Sequence, residues 1–392
     1  MNTKTKKIRA LIIFTLVFII TFSIIPSVLA KPRKTHITDF LYECEIDDEG
    51  FSNSVENDDE VLEDATAYAL EILDEFDLLK TEEFFQNEEN PFEITKKEIN
   101  STDLTEELED NAEDEVESGD PDIYKLYFLL KSLELLEDTN KDYEVSSSLK
   151  GKIRTFADSL LQKGGGYAAS KTSTSATMAS TYFALKIYDL LDKDYAKKSI
   201  TKNWIRSCFN GDGGYGGTIS SSSTILNTYY AIFSMDEIDD VDDLSGKDST
   251  IDYLQSFYED NENDDENYGG YYPDDNAEHT MISSTFYCVM GISLIDDGEL
   301  EDEEETLEWI LNRQNFKDGG FKDIDDGDEQ KYSSVINSYY ALEIINLLDA
   351  DSVSLNEEIF MVEFNYWILV GVLVAVGVVA VAIIIIRRKR RL

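Results

Sequence analysis

Gln314-Asn315-Phe316-Lys317-Asp318-Gly319-Gly320-Phe321 leads through an acidic loop to Ser338-Tyr339-Tyr340-Ala341-Leu342-Glu343-Ile344-Ile345. A helix rich in long side chains stops at a polar turn with two glycines, an aromatic follows, and a second helix opens with paired aromatics and a small residue. The same unit recurs as Gly165-Gly166-Tyr167 with Tyr182-Phe183-Ala184, as Gly213-Gly214-Tyr215 with Tyr229-Tyr230-Ala231, and as Gly269-Gly270-Tyr271 with Phe286-Tyr287-Cys288. A supersecondary unit that returns at such a spacing is a helical hairpin that cannot bury its apolar face alone and stacks on its neighbours.

Two fainter copies precede these. Glu49-Gly50-Phe51 leads to Thr66-Ala67-Tyr68-Ala69, and Ile123-Tyr124-Lys125-Leu126-Tyr127-Phe128 reads as an inner helix with no double glycine before it. The leading aromatics Tyr68, Tyr127, Tyr182, Tyr229, Phe286 and Tyr339 fall at intervals of 59, 55, 47, 57 and 53, so the spacing predicts six hairpins. Partner helices with helical apolar periodicity precede most of them: Ile153, Phe156, Leu160 and Leu161; Ile200, Trp204, Ile205 and Cys208; Ile251, Leu254, Phe257 and Tyr258; Leu307, Ile310 and Leu311. The intervening segments Glu82 to Asp122, Asp236 to Asp248, Glu259 to Asn267 and Asp296 to Glu305 read as acidic loops and solvated helix ends, with Glu109 to Asp120 expected to be disordered. Asn100-Ser101-Thr102 is a glycosylation sequon.

The ends of the chain read differently. Lys4, Lys6, Lys7 and Arg9 precede an apolar run to Ile25, and Val28-Leu29-Ala30 is a small-residue cleavage pattern, so residues 1–30 are expected to be an export signal. An uncleaved anchor is the alternative. Residues 361–386 are expected to be a transmembrane helix, since the 21 residues Tyr366 to Ile386 carry no charge and suffice for ~30 Å of hydrocarbon. The basic tail 387–392 then stays in the cytoplasm, which places the domain spanning residues 31–360 outside a single-pass cell membrane.

The nine positive charges at these two ends take the net charge of the intervening segment from −47 to −56. Such a field excludes nucleic acid as a partner and favours cations. Cys44, Cys208 and Cys288 lie far apart with no CxxC pairing, and with His36 and His279 they supply no zinc spacing. One extracellular disulfide is open to them, though Cys288 sits in the small-residue slot of an inner helix and reads as a packed thiol.

Hairpins with a Gly-Gly-aromatic corner resemble the prenyltransferase and squalene/terpene cyclase repeat superfamily over roughly residues 40–355. The resemblance is sharpest at Leu311 to Phe321 and at Thr285-Phe286-Tyr287-Cys288. It implies an all-α (α/α)6 toroid, six inner helices ringed by six outer ones, plus the signal and the transmembrane helix at the ends. The zinc slots of the prenyltransferases (Asp, Cys and His) fall on Leu226, Thr228 and Ser284, and zinc is not expected. Cyclases use Asp-x-Asp-Asp, whereas Asp239-Asp240-Val241-Asp242-Asp243 lies in an outer linker; the Gly-Cys-Gly-Glu-Gln motif of the related thioester domains is absent.

Hydroxyls and amides open the inner helices of copies three to six, as Ser180-Thr181, Asn227-Thr228, Ser283-Ser284-Thr285 and Asn337-Ser338. They suit hydrogen bonding to a neutral or peptide-like ligand, or capping of those helices. The candidate ligand-binding residues facing the cavity are Tyr182, Thr228, Tyr229, Ser284, Tyr287, Asn337 and Tyr339. Asp323, Asp325 and Asp328 alternate as calcium ligands do, so calcium is the one candidate cofactor. Tyr271 to His279 combines aromatics and carboxylates near a corner and is a second candidate for acid–base chemistry. The expected function is a membrane-anchored, non-catalytic domain binding a peptide, glycan or small apolar ligand. The alternatives are an isoprenoid-processing enzyme with a reorganised site and a calcium-responsive structural surface protein.

Overall fold

The computed structural model describes residues 30–359 except 47–48, 57–59, 80–100, 140–142, 193–194, 196, 239 and 324–331. One compact unit, Pro32–Glu357, holds every described helix; the other comprises Met1–Lys31 and Glu358–Leu392. The expected transmembrane helix and basic tail, the sequon asparagine and nearly all of the signal lie outside the described residues. Among the described residues no helix is long and apolar enough to cross a membrane.

Helices alternate between two layers. The outer layer holds α1 (Arg33–Cys44), α3 (Ser101–Glu117), α5 (Ser147–Leu160), α7 (Lys198–Ser207), α9 (Lys247–Gln255) and α11 (Glu303–Leu311). The inner layer holds α2 (Glu63–Glu75), α4 (Ile123–Thr139), α6 (Met178–Leu190), α8 (Ile225–Glu237), α10 (Ile282–Ile295) and α12 (Val335–Leu348), and the short α13 (Val353–Asn356) follows. Each inner helix packs on the next, and α12 packs back on α2, which closes the ring. The fold is the α/α toroid that the repeat implies.

A fixed set of joints links one hairpin to the next. At the sixth corner Gly319 takes φ +97°, and a Cβ there would meet the His36 carbonyl at 2.5 Å; the ring of Phe40, one turn later on α1, lies against Gly320. The last corner therefore seats on the first outer helix. Upstream corners seat in the same way on Ile200 and Trp204 of α7, Ser249 and Tyr253 of α9, and Glu305 and Trp309 of α11. Thr201, Thr250 and Thr306 each donate a hydroxyl to the first-glycine carbonyl of the preceding corner, at 2.8, 2.9 and 2.9 Å. In the closing joint Gln314 Nε2 fills that role on Gly319, at 2.9 Å.

The acidic stretch after Glu82 is corrected in part. Ser101–Glu117 forms α3, the outer helix of the second copy, because Leu104, Leu108, Ala112 and Val116 recur every fourth residue and are buried as one stripe. Burying the three larger ones contributes about 1.5–3 kcal/mol each, enough to order a helix whose other face is carboxylate. All three cysteines are buried free thiols, so no disulfide joins them. Burial alone pushes the Cys208 thiol up to about 12.

Candidate functional site: an aromatic plug over a charged recess

The inner helices present their leading aromatics to the axis of the ring. Equivalent positions meet: Tyr182 on Tyr229 (6.2 Å between ring centres), Tyr229 on Phe286 (5.6 Å), Phe286 on Tyr339 (6.4 Å) and Tyr339 on Tyr68 (4.2 Å, stacked). Helices whose equivalent residues meet in this way run parallel. The residues one position later, Phe183, Tyr230, Tyr287 and Tyr340, form a second tier that stacks on the first, with Phe286 on Tyr340 at 4.3 Å and Tyr182 on Tyr230 at 4.8 Å. Offset and edge contacts of this kind add about 0.5–1.5 kcal/mol per pair beyond burial. The axis is filled by a plug of rings.

Two spaces flank the plug. Toward the inner-helix N-termini a polar cleft of ≈ 500 Å³ is lined by Asn53, Ser283, Asp323, Ser334 and Asn337 among others. Within the ring, a recess of ≈ 160 Å³ reaches from the aromatics to the residues four positions later: Lys131, Lys186, Phe233, Met290 and Glu343. Tyr287 and Tyr340 border both spaces. Lys131 is closed on Glu71 at 2.6 Å and Lys186 on Glu237 at 2.7 Å. Among the described residues Glu343 has no such partner; desolvation, then the nearby Glu71 and Glu75, raise its carboxyl to about 7 against the opposing pull of Lys131. Burial keeps the phenols of Tyr127, Tyr182, Tyr229 and Tyr339 protonated far above their usual range.

The expected site residues divide between these places. Tyr182, Tyr229, Tyr287 and Tyr339 line the recess. Asn337 lines the N-terminal cleft, where its amide donates to Asp323 Oδ2 at 2.9 Å. Thr228 and Ser284 do not face the centre. Thr228 Oγ1 donates to the Thr224 carbonyl at 2.8 Å and accepts from the Tyr215 amide at 2.9 Å, and Ser284 Oγ donates to the Tyr271 carbonyl at 2.6 Å. Both hydroxyls pin a Gly-Gly-aromatic corner to its inner helix, as Thr181, Thr285 and Ser338 also do, and Thr66 holds the single-glycine corner at Phe51 in the same way. Capping falls to the residue before the helix: Thr177, Thr224 and Ser334 each accept from the amide of the third helical residue, Ser180, Asn227 and Asn337.

Asp323 is nearly buried with both carboxylate oxygens engaged, Oδ1 accepting from the first amide of α10 (Ile282, 2.6 Å) and Oδ2 from Asn337. Asp325 and Asp328 lie outside the described residues, and among the described residues no three His, Cys, Asp or Glu side chains gather as a metal set. In the Tyr271–His279 stretch, His279 Nδ1 stands 3.6 Å from Glu266, while Tyr271 is fully buried in the core, so its ring and the exposed carboxylates do not share a cleft. At the zinc slots, Leu226 carries no donor atom and the hydroxyls of Thr228 and Ser284 are spent on backbone; these three do not fit zinc.

The chain matches the prenyltransferase alpha-alpha toroid domain over residues 3–90, 104–262 and 272–364. It belongs to that family. Among solved structures, this prenyltransferase-toroid chain is similar to Candida albicans protein geranylgeranyltransferase-I complexed with GGPP, at 21% identity and a TM-score of 0.50, covering 60% of this chain and 69% of that one. It is also similar to a variant of the type II terpene cyclase MstE from Scytonema in complex with the product merosterolic acid A, at 12% identity and a TM-score of 0.50, covering 82% and 96%. At these identities the likeness is one of fold. No curated protein matches it in sequence.

The lysines and the glutamate of the recess were missed in the sequence. Their signal is positional: each falls four residues after a leading aromatic and so, at 3.6 residues per turn, one turn further along the same face.

Proposed function

We propose that the toroid is a binding domain that has kept the family's scaffold without prenyl transfer or cyclisation, carried at the outer face of a cell membrane by residues 361–386. The observation that carries this reading is the filled axis. The recess within the ring, ≈ 160 Å³, falls well below the roughly 300–1,000 Å³ of pockets that enclose drug-sized ligands, and the ≈ 500 Å³ cleft that reaches that range is polar and lies on the other side of the plug. A prenyl chain would have to displace the aromatic plug. The donor set at the zinc slots supports the same reading, and the diphosphate of a prenyl donor would enter a segment of net charge −56 once the basic ends are set aside. Incubating the detergent-solubilised chain with farnesyl or geranylgeranyl diphosphate, Mg²⁺ and Zn²⁺ should release no diphosphate. Sustained turnover would replace this reading with the enzymatic one.

A further inference from the structure

The recess opens on the C-terminal half of the inner ring, since its lining runs from the leading aromatics to the residues one turn later. Three observations meet there. The inner helices run parallel, so their negative dipole ends share one face of the ring, and none carries a basic residue in its last turn. The side chains at the recess leave that face short of positive charge. Lys131 and Lys186 are each closed on a glutamate, Asp189 adds a further carboxylate 3.6 Å from Lys186, and Glu75 and Glu343 stand beyond them.

The third observation concerns the rings. Tyr127, Tyr182 and Tyr229 are 4, 9 and 7% exposed, line the recess, and have hydroxyls without a hydrogen-bond partner among the described residues. These hydroxyls are not sealed in the core as those of Tyr167, Tyr258 and Tyr271 are, so an occupant of the recess meets them. The ring of Tyr127 already has an ammonium before it, Lys131 Nζ at 5.9 Å from its centre. Aromatic faces attract weakly hydrated cations, and the attraction grows as water is excluded.

We propose that the recess binds a small organic ammonium ion, its alkylated head caged by Tyr182, Tyr229 and Tyr339 and its charge offset by Glu343. The volume is that of about five waters, at about 30 Å³ each, which matches a methylated ammonium head and not a longer chain. A metal ion fits less well, because it requires several convergent oxygen ligands and gains little from ring faces. An anion would meet Glu343 and the helix C-termini, while the two lysines in the lining, Lys131 and Lys186, are already closed on Glu71 and Glu237. Resting as it does on the binding-domain reading, the site takes its specificity from charge with shape held constant.

The test is a calorimetric titration of the full chain in detergent with choline and with its neutral carbon isostere, 3,3-dimethylbutan-1-ol. Choline should bind at least tenfold more tightly than the isostere, and potassium chloride should not displace it at matched ionic strength. Glu343→Gln, which keeps the shape, should weaken choline at least fivefold and leave the isostere unchanged, with an intact melt as the control for folding. Equal binding of the two probes, binding of neither to the folded chain, or an unaltered choline affinity in the variant would each overturn the assignment. Turnover of a prenyl diphosphate would instead remove the binding-domain reading and leave the choline result standing.

Discussion

The hydroxyls of Tyr287 and Tyr340 lie 3.0 Å apart, one hydrogen bond between α10 and α12 at the boundary of the polar cleft and the central recess. Both phenols are pushed above their usual range by burial, so the pair stays neutral and one donates to the other. Tyr287→Phe should cost about 0.5–1.5 kcal/mol, because it leaves the other hydroxyl without its partner. Replacing both by Phe should cost less than the sum of the single changes. A double-mutant cycle in urea measures the coupling, and strict additivity would mean that the bond contributes nothing.

Glu343 sets a pH dependence. Its carboxyl is raised to about 7 in the folded ring, by desolvation first and then by Glu71 and Glu75, whereas the unfolded chain has the ordinary value near 4.5. The folded state therefore holds the proton more tightly. The contribution is complete below about pH 4.5, declines as the pH rises toward 7, and is flat above that. Relative to Glu343→Gln, the natural chain should lose at most about 3 kcal/mol across that window. Denaturant titrations of both proteins at pH 4.5, 6 and 7.5 check it; parallel curves would place Glu343 in water.

Thr228 holds the corner at Tyr215. Thr228→Val keeps the shape and strands the buried Tyr215 amide, so stability should fall by about 1–3 kcal/mol. Choline titration should be unaffected, because the hydroxyl does not line the recess. A loss of binding with unchanged stability would return Thr228 to the site.

Two glycines give opposite results. Gly319→Ala combines a positive φ with a backbone carbonyl at 2.5 Å, and it should destabilise by more than about 2 kcal/mol. Gly151 lies within α5 with nothing near its Cβ position, so Gly151→Ala should stabilise by about 0.5–1 kcal/mol. Thermal melts of the two variants side by side distinguish the joint from the open helix face.

The ring was legible because its corners repeat: a Gly-Gly-aromatic unit has to recur wherever a hairpin meets the next outer helix. The helix α3 was not legible, because its glutamates and aspartates outnumber a stripe of Leu104, Leu108, Ala112 and Val116 that only tertiary packing makes decisive. At the centre, Tyr182, Tyr229, Tyr287 and Tyr339 could be placed from register alone. Thr228 and Ser284 could not, since a hydroxyl in the first turn of an inner helix can face the axis or the backbone, and the sequence is the same either way. Lys131, Lys186 and Glu343 read as ordinary helix surface until the ring closes around them.

The seating of Gly319 and Gly320 on His36 and Phe40 joins two segments that lie almost three hundred residues apart along the chain. Throughout synthesis α1 waits with Ile37, Phe40 and Leu41 uncovered, and these are among the most deeply enclosed side chains of the finished domain. Loop closure across almost three hundred residues is paid before that contact is gained, so maturation should be slow, all-or-none and dependent on whatever shields a sticky leading helix in the meantime.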